Sequence, residues 1–128
     1  MIIGIGVDVL EVERMQRTID RYGDQFLGHV FTDEERREAP TGAGKAAYYA
    51  GRWAAKEAIA KALGTGIGRR CGWTDIRVLR GPDGQPQVTL HGVGAATAST
   101  LKVSRIHISI SHERKLACAS AVAEKDPT

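Results

Sequence analysis

The 128-residue sequence predicts an α+β fold, a mainly antiparallel sheet wrapped around one long central helix. Three observations carry that prediction. Period-two alternation of apolar and small or polar residues appears near both ends of the chain, at residues 2–9, 106–111 and 116–124. Between them lies an Ala-rich segment with helical spacing, Lys45 to Leu63. A further pair of short strands is joined by Gly81-Pro82-Asp83-Gly84, which has the chemistry of a tight turn. No internal repeat, linker or low-complexity stretch divides the chain, so residues 1–128 read as one domain.

Each element has its own local reason. In residues 2–9, Ile3, Ile5, Val7 and Val9 share one strand face and Gly4, Gly6 and Asp8 the other. The apolar face is the expected core face, and the glycines mark a place where a ligand or another backbone comes close. From Glu11 the period changes to that of a helix, with Val12, Met15, Ile19 and Tyr22 on one side and Gly23 as its expected end. Arg14, Arg17 and Arg21 fall on a different stripe of that helix. Thr32 and Glu35 have the spacing of a capping box for a short helix through about Glu38, followed by a loop at Pro40, Gly42 and Gly44.

The central helix then runs from about Lys45 to Leu63 and closes at Gly64. Asp75–Arg80 and Gln87–Leu90 pair as a hairpin, and a small helix over Val93–Leu101 leads to the strand Ile106–Ser111. A turn at Glu113-Arg114-Lys115 returns the chain into the last strand, Leu116–Glu124.

Composition narrows the function classes. Hydrophobic residues make up 42% and charged residues 26%, and no apolar run approaches the ~18 residues that cross a bilayer, so no membrane association is expected. Met1-Ile2-Ile3-Gly4 has none of the features of a signal peptide, and a cytoplasmic location is the expectation. Cys71 and Cys118 lack Cys-x-x-Cys spacing and read as reduced bystanders. The net charge of +3 is small, but the cations cluster at Arg14, Arg17 and Arg21, at Arg52, Lys56 and Lys61, and at Arg69 and Arg70.

Asp8 ends the glycine face of the first strand, and Glu57 and Lys61 share a helix stripe with Ala50, Trp53 and Ala54. A carboxylate in such surroundings is costly unless a cation accompanies it. Asp8 with Glu57 therefore points to a divalent metal of the Mg²⁺ type, and Lys61 beside them to a phosphate substrate. The residues alone leave a plainer reading open: an i,i+4 bridge from Glu57 to Lys61, with Asp8 capping the next helix. Gly64-Thr65-Gly66-Ile67-Gly68 has amides suited to a phosphate but no Walker lysine. Ser111-His112 closes a strand, where a lone histidine is commonly structural, and His107, His29 and His91 read as bystanders.

Four segments together resemble the holo-acyl-carrier-protein synthases of the 4'-phosphopantetheinyl transferase superfamily, in its short bacterial single-domain type. They are Gly4-Ile5-Gly6-Val7-Asp8, Phe31-Thr32-Asp33-Glu34-Glu35, Arg52-Trp53-Ala54-Ala55-Lys56-Glu57-Ala58 with Lys61-Ala62-Leu63-Gly64-Thr65-Gly66, and Ser109-Ile110-Ser111-His112. The resemblance spans nearly the whole chain. It implies Mg²⁺-dependent transfer of 4'-phosphopantetheine from coenzyme A to a serine of apo-acyl carrier protein, releasing adenosine 3',5'-bisphosphate, in fatty acid biosynthesis. Asp8 and Glu57 would hold the metal, with Lys61 catalytic beside them. Lys61, Gly64, Thr65, Gly66, Arg52, Ser111 and His112 would bind coenzyme A, and Glu57 or a water on the metal would take the serine proton.

The resemblance further implies a homotrimer whose active sites lie between subunits. It gives Arg14, Arg17 and Arg21, with Met15, the role of docking the acidic carrier protein. Two other readings compete. A broader-range phosphopantetheinyl transferase for polyketide or peptide synthase carrier domains usually has two copies of this fold in one chain. A small basic nucleic-acid-binding module finds no recognition helix and only 5% aromatic residues for base stacking.

Overall fold

The computed structural model describes residues 1–127. Its elements in chain order are β1 (Ile2–Glu11), α1 (Val12–Val30), α2 (Asp33–Glu38), α3 (Lys45–Ala62), β2 (Ile76–Arg80), β3 (Pro86–Leu90), α4 (Gly92–Thr100), β4 (Arg105–His112) and β5 (Leu116–Glu124). Single 3₁₀ turns stand at Gly42–Gly44 and Trp73–Asp75. The strands form an antiparallel three-stranded sheet in the order β1-β5-β4 and an antiparallel hairpin β2-β3. An α+β fold around a long central helix is what the sequence predicted.

One face of the three-stranded sheet lies on α3, and in the two rows that begin with glycine its side chains grow from β1 to β4. The rows are Gly4–Ala123–Ile106, Gly6–Ala121–Ile108 and Asp8–Ala119–Ile110. Small residues at β1 let the helix backbone touch the strand backbone: a Cβ added to Gly4 would lie 1.8 Å from the Ala62 carbonyl oxygen, and one on Gly6 2.0 Å from that of Ala58. The helix answers with alanines, Ala54, Ala55, Ala58 and Ala62 all being buried.

This packing reverses one expectation. The branched face of β1 is not the core face: Ile5, Val7 and Val9 are 72%, 61% and 57% exposed, and Ile3 is also exposed. Alternation fixes the period of a strand but not which face is covered, and here the helix takes the face that offers no side chain.

A second difference concerns Gly23, which kinks α1 rather than ending it. With φ 56° and ψ −137°, a conformation open essentially to glycine alone, it turns the chain, and the helix resumes through Val30. Met15, Ile19, Leu27, Val30, Phe31, Tyr48 and Tyr49 form the core between α1 and the N-terminal half of α3.

At α2 the predicted capping box is present, Thr32 Oγ1 accepting from the Glu35 amide while Glu35 Oε1 accepts from the Thr32 amide. Glu35 also does what a cap does not require. Its Oε1 lies 2.8 Å from Lys56 Nζ on α3, its Oε2 accepts from the Val78 amide on β2, and both side chains are 0% exposed. Lys56 Nζ donates further to the Trp73 and Ile76 carbonyls, so the ammonium has three acceptors. Burial still pulls the Lys56 pKa down, against the opposing pull of Glu35.

Candidate active site

The backbone contact at Gly4 and Gly6 delivers the next residue on that strand face, Asp8, against the side of α3 that bears Glu57 and Lys61. Lys61 Nζ donates to Asp8 Oδ1 at 3.1 Å and to the Val7 carbonyl at 3.0 Å. The other Asp8 oxygen, Oδ2, is buried and has no hydrogen-bond partner. Glu57 is half-buried, and its carboxyl pKa is raised, first by burial and then by the charge of Asp8, with Lys61 opposing. Two carboxylates close enough to repel each other, with an unpartnered oxygen between water and core, fit a divalent cation.

The plainer reading of these residues does not hold. Lys61 reaches across to Asp8, with no bridge from Glu57 to Lys61 among the described residues. Asp8 does not cap α1 either, since the residue at that position is Glu11 and it makes no side-chain capping bond. No group of three or more His, Cys, Asp or Glu side chains placed to hold a metal ion is found among the described residues. A cation here would rest on two carboxylates, an arrangement common for Mg²⁺, whose other positions go to water and phosphate oxygens.

The loop after α3 has Gly64 and Gly66 at φ 81° and 65°, where other residues are strained. Its amides are engaged: Gly64 donates to the Lys61 carbonyl, and Thr65 and Gly66 both donate to that of Ala60. A Cβ added at either glycine would meet nothing within 4 Å. What the loop offers is thus an open flank rather than a ring of unpaired amides. Just beyond it, Gly68 and Cys71 pair as a tight turn that displays Arg69 and Arg70.

The remaining predicted residues lie elsewhere in the chain. Arg52 is nine residues before Lys61 on α3, about half a turn around the helix axis from it. Its guanidinium stacks 4.4 Å from the Tyr48 ring centre and lies 3.8 Å from Glu38, and its Nε is buried without a partner. Ser111 and His112 end β4, with β5 between them and β1. Ser111 faces away from α3, in the row Val9–Cys118–Ser111, where a cavity of about 380 Å³ is lined by these residues with His112, Glu113 and Leu116. Within one chain, then, Asp8, Glu57 and Lys61 meet, while Arg52 and the Ser111-His112 pair stand apart.

On α1, Arg14, Arg17 and Arg21 are exposed, Arg17 bridging to Glu13 at 3.2 Å. Met15 is not a surface contact: it is only 2% exposed because it turns toward Leu10, Phe26 and Trp53, with which it lines a cavity of about 200 Å³ that Arg14 and Thr18 border. Two features escaped the sequence reading. One is a cavity of about 410 Å³ among Arg36, Arg37, Lys45, Asp24, Asp33 and Tyr49, whose cations are scattered along the sequence. The other is the buried Glu35–Lys56 pair, signalled only by a lysine in an alanine-rich helix.

Comparison with known proteins identifies the family and the fold. The family model of the 4'-phosphopantetheinyl transferase superfamily matches residues 4–120. A holo-[acyl-carrier-protein] synthase of Koribacter versatilis is 42% identical over 124 residues, which cover 97% of this chain and 99% of that protein. The crystal structure of holo-[acyl-carrier-protein] synthase from Neisseria meningitidis superposes with a TM-score of 0.90 at 35% identity, covering 98% of this chain and all of the other. The synthase from Bacillus anthracis, solved in complex with CoA (3',5'-ADP), gives 0.84 at 34% identity, covering 98% and 99%.

Proposed function

The chain belongs to the 4'-phosphopantetheinyl transferase superfamily, among its holo-[acyl-carrier-protein] synthases, and from that premise we propose that it transfers 4'-phosphopantetheine from coenzyme A to a serine of apo-acyl carrier protein. Adenosine 3',5'-bisphosphate leaves. The observation that carries the site assignment is the Asp8–Glu57 pair, with Asp8 Oδ2 buried and unpartnered and the Glu57 carboxyl held above its ordinary range.

Asp8 and Glu57 would hold Mg²⁺, which would neutralise charge on the coenzyme A pyrophosphate. Lys61 already spans Asp8 and the Val7 carbonyl, so its ammonium is placed to meet a phosphate oxygen as negative charge builds during attack on the β-phosphorus. Glu57, or a water beside it, would take the serine proton. The open flank at Gly64, Thr65 and Gly66 lets coenzyme A pass close to the backbone.

Arg52 binds coenzyme A from the central helix, and Ser111 and His112 bind it from a neighbouring subunit, a reading supported by the separation of β4 from β1 within one chain. The exposed Ile5, Val7 and Val9 face supports a homotrimer, because an apolar sheet face of this kind is normally covered. Arg14, Arg17 and Arg21 dock the acidic carrier protein. No helix among the described residues is long and apolar enough to cross a membrane, and we place the reaction in the cytoplasm, in fatty acid biosynthesis.

Intact-mass spectrometry of apo-acyl carrier protein incubated with the enzyme, coenzyme A and Mg²⁺ tests this. The expected result is a gain of one phosphopantetheine that EDTA abolishes. A gain that survives EDTA removes the metal assignment, and no gain with several carrier proteins removes the substrate.

A further inference from the structure

We infer that Glu35 and Lys56 are positioning residues for the Asp8–Glu57 carboxylate pair, holding α3 in the rotation that presents Glu57 to Asp8. The inference rests on the proposed reading of that pair as the metal site. Three observations support it. First, the tie is complete: Lys56 Nζ is held by Glu35 Oε1, the Trp73 carbonyl and the Ile76 carbonyl at 2.8, 2.9 and 2.6 Å. Glu35 is in turn held by the Thr32 and Val78 amides at 2.8 and 2.7 Å. The ion pair therefore fastens α3 to α2, β2 and the Trp73–Asp75 turn at one point.

Second, Lys56 and Glu57 are adjacent on one helix, so their side chains are related by about 100° and cannot move independently. At roughly 6 Å from the helix axis, 10° of rotation displaces a side-chain atom by about 1 Å, which is large for a metal ligand or a reacting group.

Third, against such rotation β1 offers one polar tie, from the half-exposed Lys61 ammonium to the Val7 carbonyl and Asp8 Oδ1, and no side chain at its glycines. At Gly4 and Gly6 it meets the Ala62 and Ala58 carbonyls with no side chain, so the strand that carries Asp8 does not key into the helix there. Close approach comes from the glycines, and angular setting from the buried pair. A surface bridge would be a poor device for this, but a pair with both side chains 0% exposed and every polar contact made is rigid.

The test separates positioning from stability. Lys56→Met and Glu35→Gln each leave one buried partner alone and lower the melting temperature. Combining them removes both charges, so E35Q/K56M regains much of that loss. We expect the double variant, folded by circular dichroism, to bind Mn²⁺ at least about fivefold more weakly in an electron paramagnetic resonance titration. Its kcat for carrier-protein modification falls about tenfold or more. KM for carrier protein stays as in the parent protein.

A double variant with parental Mn²⁺ affinity and kcat overturns the inference and leaves the pair a fold-stabilising contact. Should the double variant not fold, Glu35→Gln alone, assayed below its melting temperature, decides by the same two readouts. If the parent protein itself binds no Mn²⁺ and ignores EDTA, the metal reading fails, and the kcat comparison alone decides on positioning.

Discussion

Replacing Gly6 by alanine tests how β1 sets the site. The added Cβ would sit 2.0 Å from the Ala58 carbonyl oxygen, 2.9 Å from its carbon and 3.0 Å from the Ala62 nitrogen, all backbone atoms of α3. Even a short carbon–oxygen contact needs about 3.3 Å, so strand and helix must separate by roughly 1.3 Å at this point. No rotamer change can relieve the clash, because neither side of it is a flexible side chain.

Overpacking of this kind costs typically about 1–3 kcal/mol, and a backbone-to-backbone clash belongs at or above the top of that range. For a chain of this length about 3 kcal/mol lowers the melting temperature by roughly 10 °C. Asp8 is two residues along the same strand face, so the same shift moves it away from Glu57 and Lys61, and a displacement of about 1 Å costs on the order of 100-fold in rate. Gly4→Ala makes an equivalent clash, at 1.8 Å from the Ala62 oxygen, but farther from Asp8. It should match Gly6→Ala in stability loss and exceed it in residual activity.

The assays are thermal unfolding at fixed protein concentration and initial rates of carrier-protein modification, both at a temperature where all variants are folded. A Gly6→Ala protein within twofold of the parental rate and within about 2 °C of its melting temperature would refute the packing argument.

Four further outcomes follow from the same geometry. The raised Glu57 pKa means that protons compete for this carboxylate at higher pH than for an ordinary glutamate, so the Mg²⁺ concentration for half-maximal rate should climb as pH falls toward that pKa. In the metal-free protein the sign is opposite for stability: the folded state holds the proton more tightly than the unfolded one, so Glu57→Gln should raise the melting temperature at neutral pH while removing transfer. Arg14→Glu with Arg21→Glu should raise KM for carrier protein by tenfold or more and leave KM for coenzyme A unchanged, an unchanged carrier KM being the result that ends the docking assignment. Val7→Asp, in the middle of the exposed apolar face, should shift sedimentation toward the monomer and depress transfer, and full activity from a monomeric protein would dismiss the shared site.

Much of the fold was legible because its signals are local. Thr32 and Glu35 announce their cap, the alanines of α3 announce a helix that packs closely, and Gly81-Pro82-Asp83-Gly84 announces the hairpin. The meeting of Asp8 with Lys61, 53 residues apart, was inferred from the cost of placing charge on nearly bare or apolar faces, and the hydrogen bond between them exists. The location of Ser111 and His112 was not legible, because their distance from Asp8 depends on β5 entering between β4 and β1, and nothing in residues 105–112 encodes strand order.

The reversed face of β1 and the buried Lys56 share a physical cause. In β1 the alternation of Ile3, Ile5, Val7 and Val9 with glycines was read as core against surface, on the assumption that covered area follows side-chain size. A helix seeking backbone contact inverts that order, since glycine is the residue that permits the approach, and the displaced apolar face then becomes available for another chain. In α3, Lys56 and Glu57 are neighbours in the same alanine-rich context, yet one is sealed by a glutamate 21 residues earlier and the other remains half-open beside Asp8. A charge among alanines signals only that a partner exists. Whether that partner is a side chain of the same fold or a cation from solution depends on what tertiary structure brings opposite it. Lys56 has three protein acceptors, whereas Asp8 Oδ2 has no donor, and that difference in satisfied contacts separates a charge sealed within the fold from one with room for a cation.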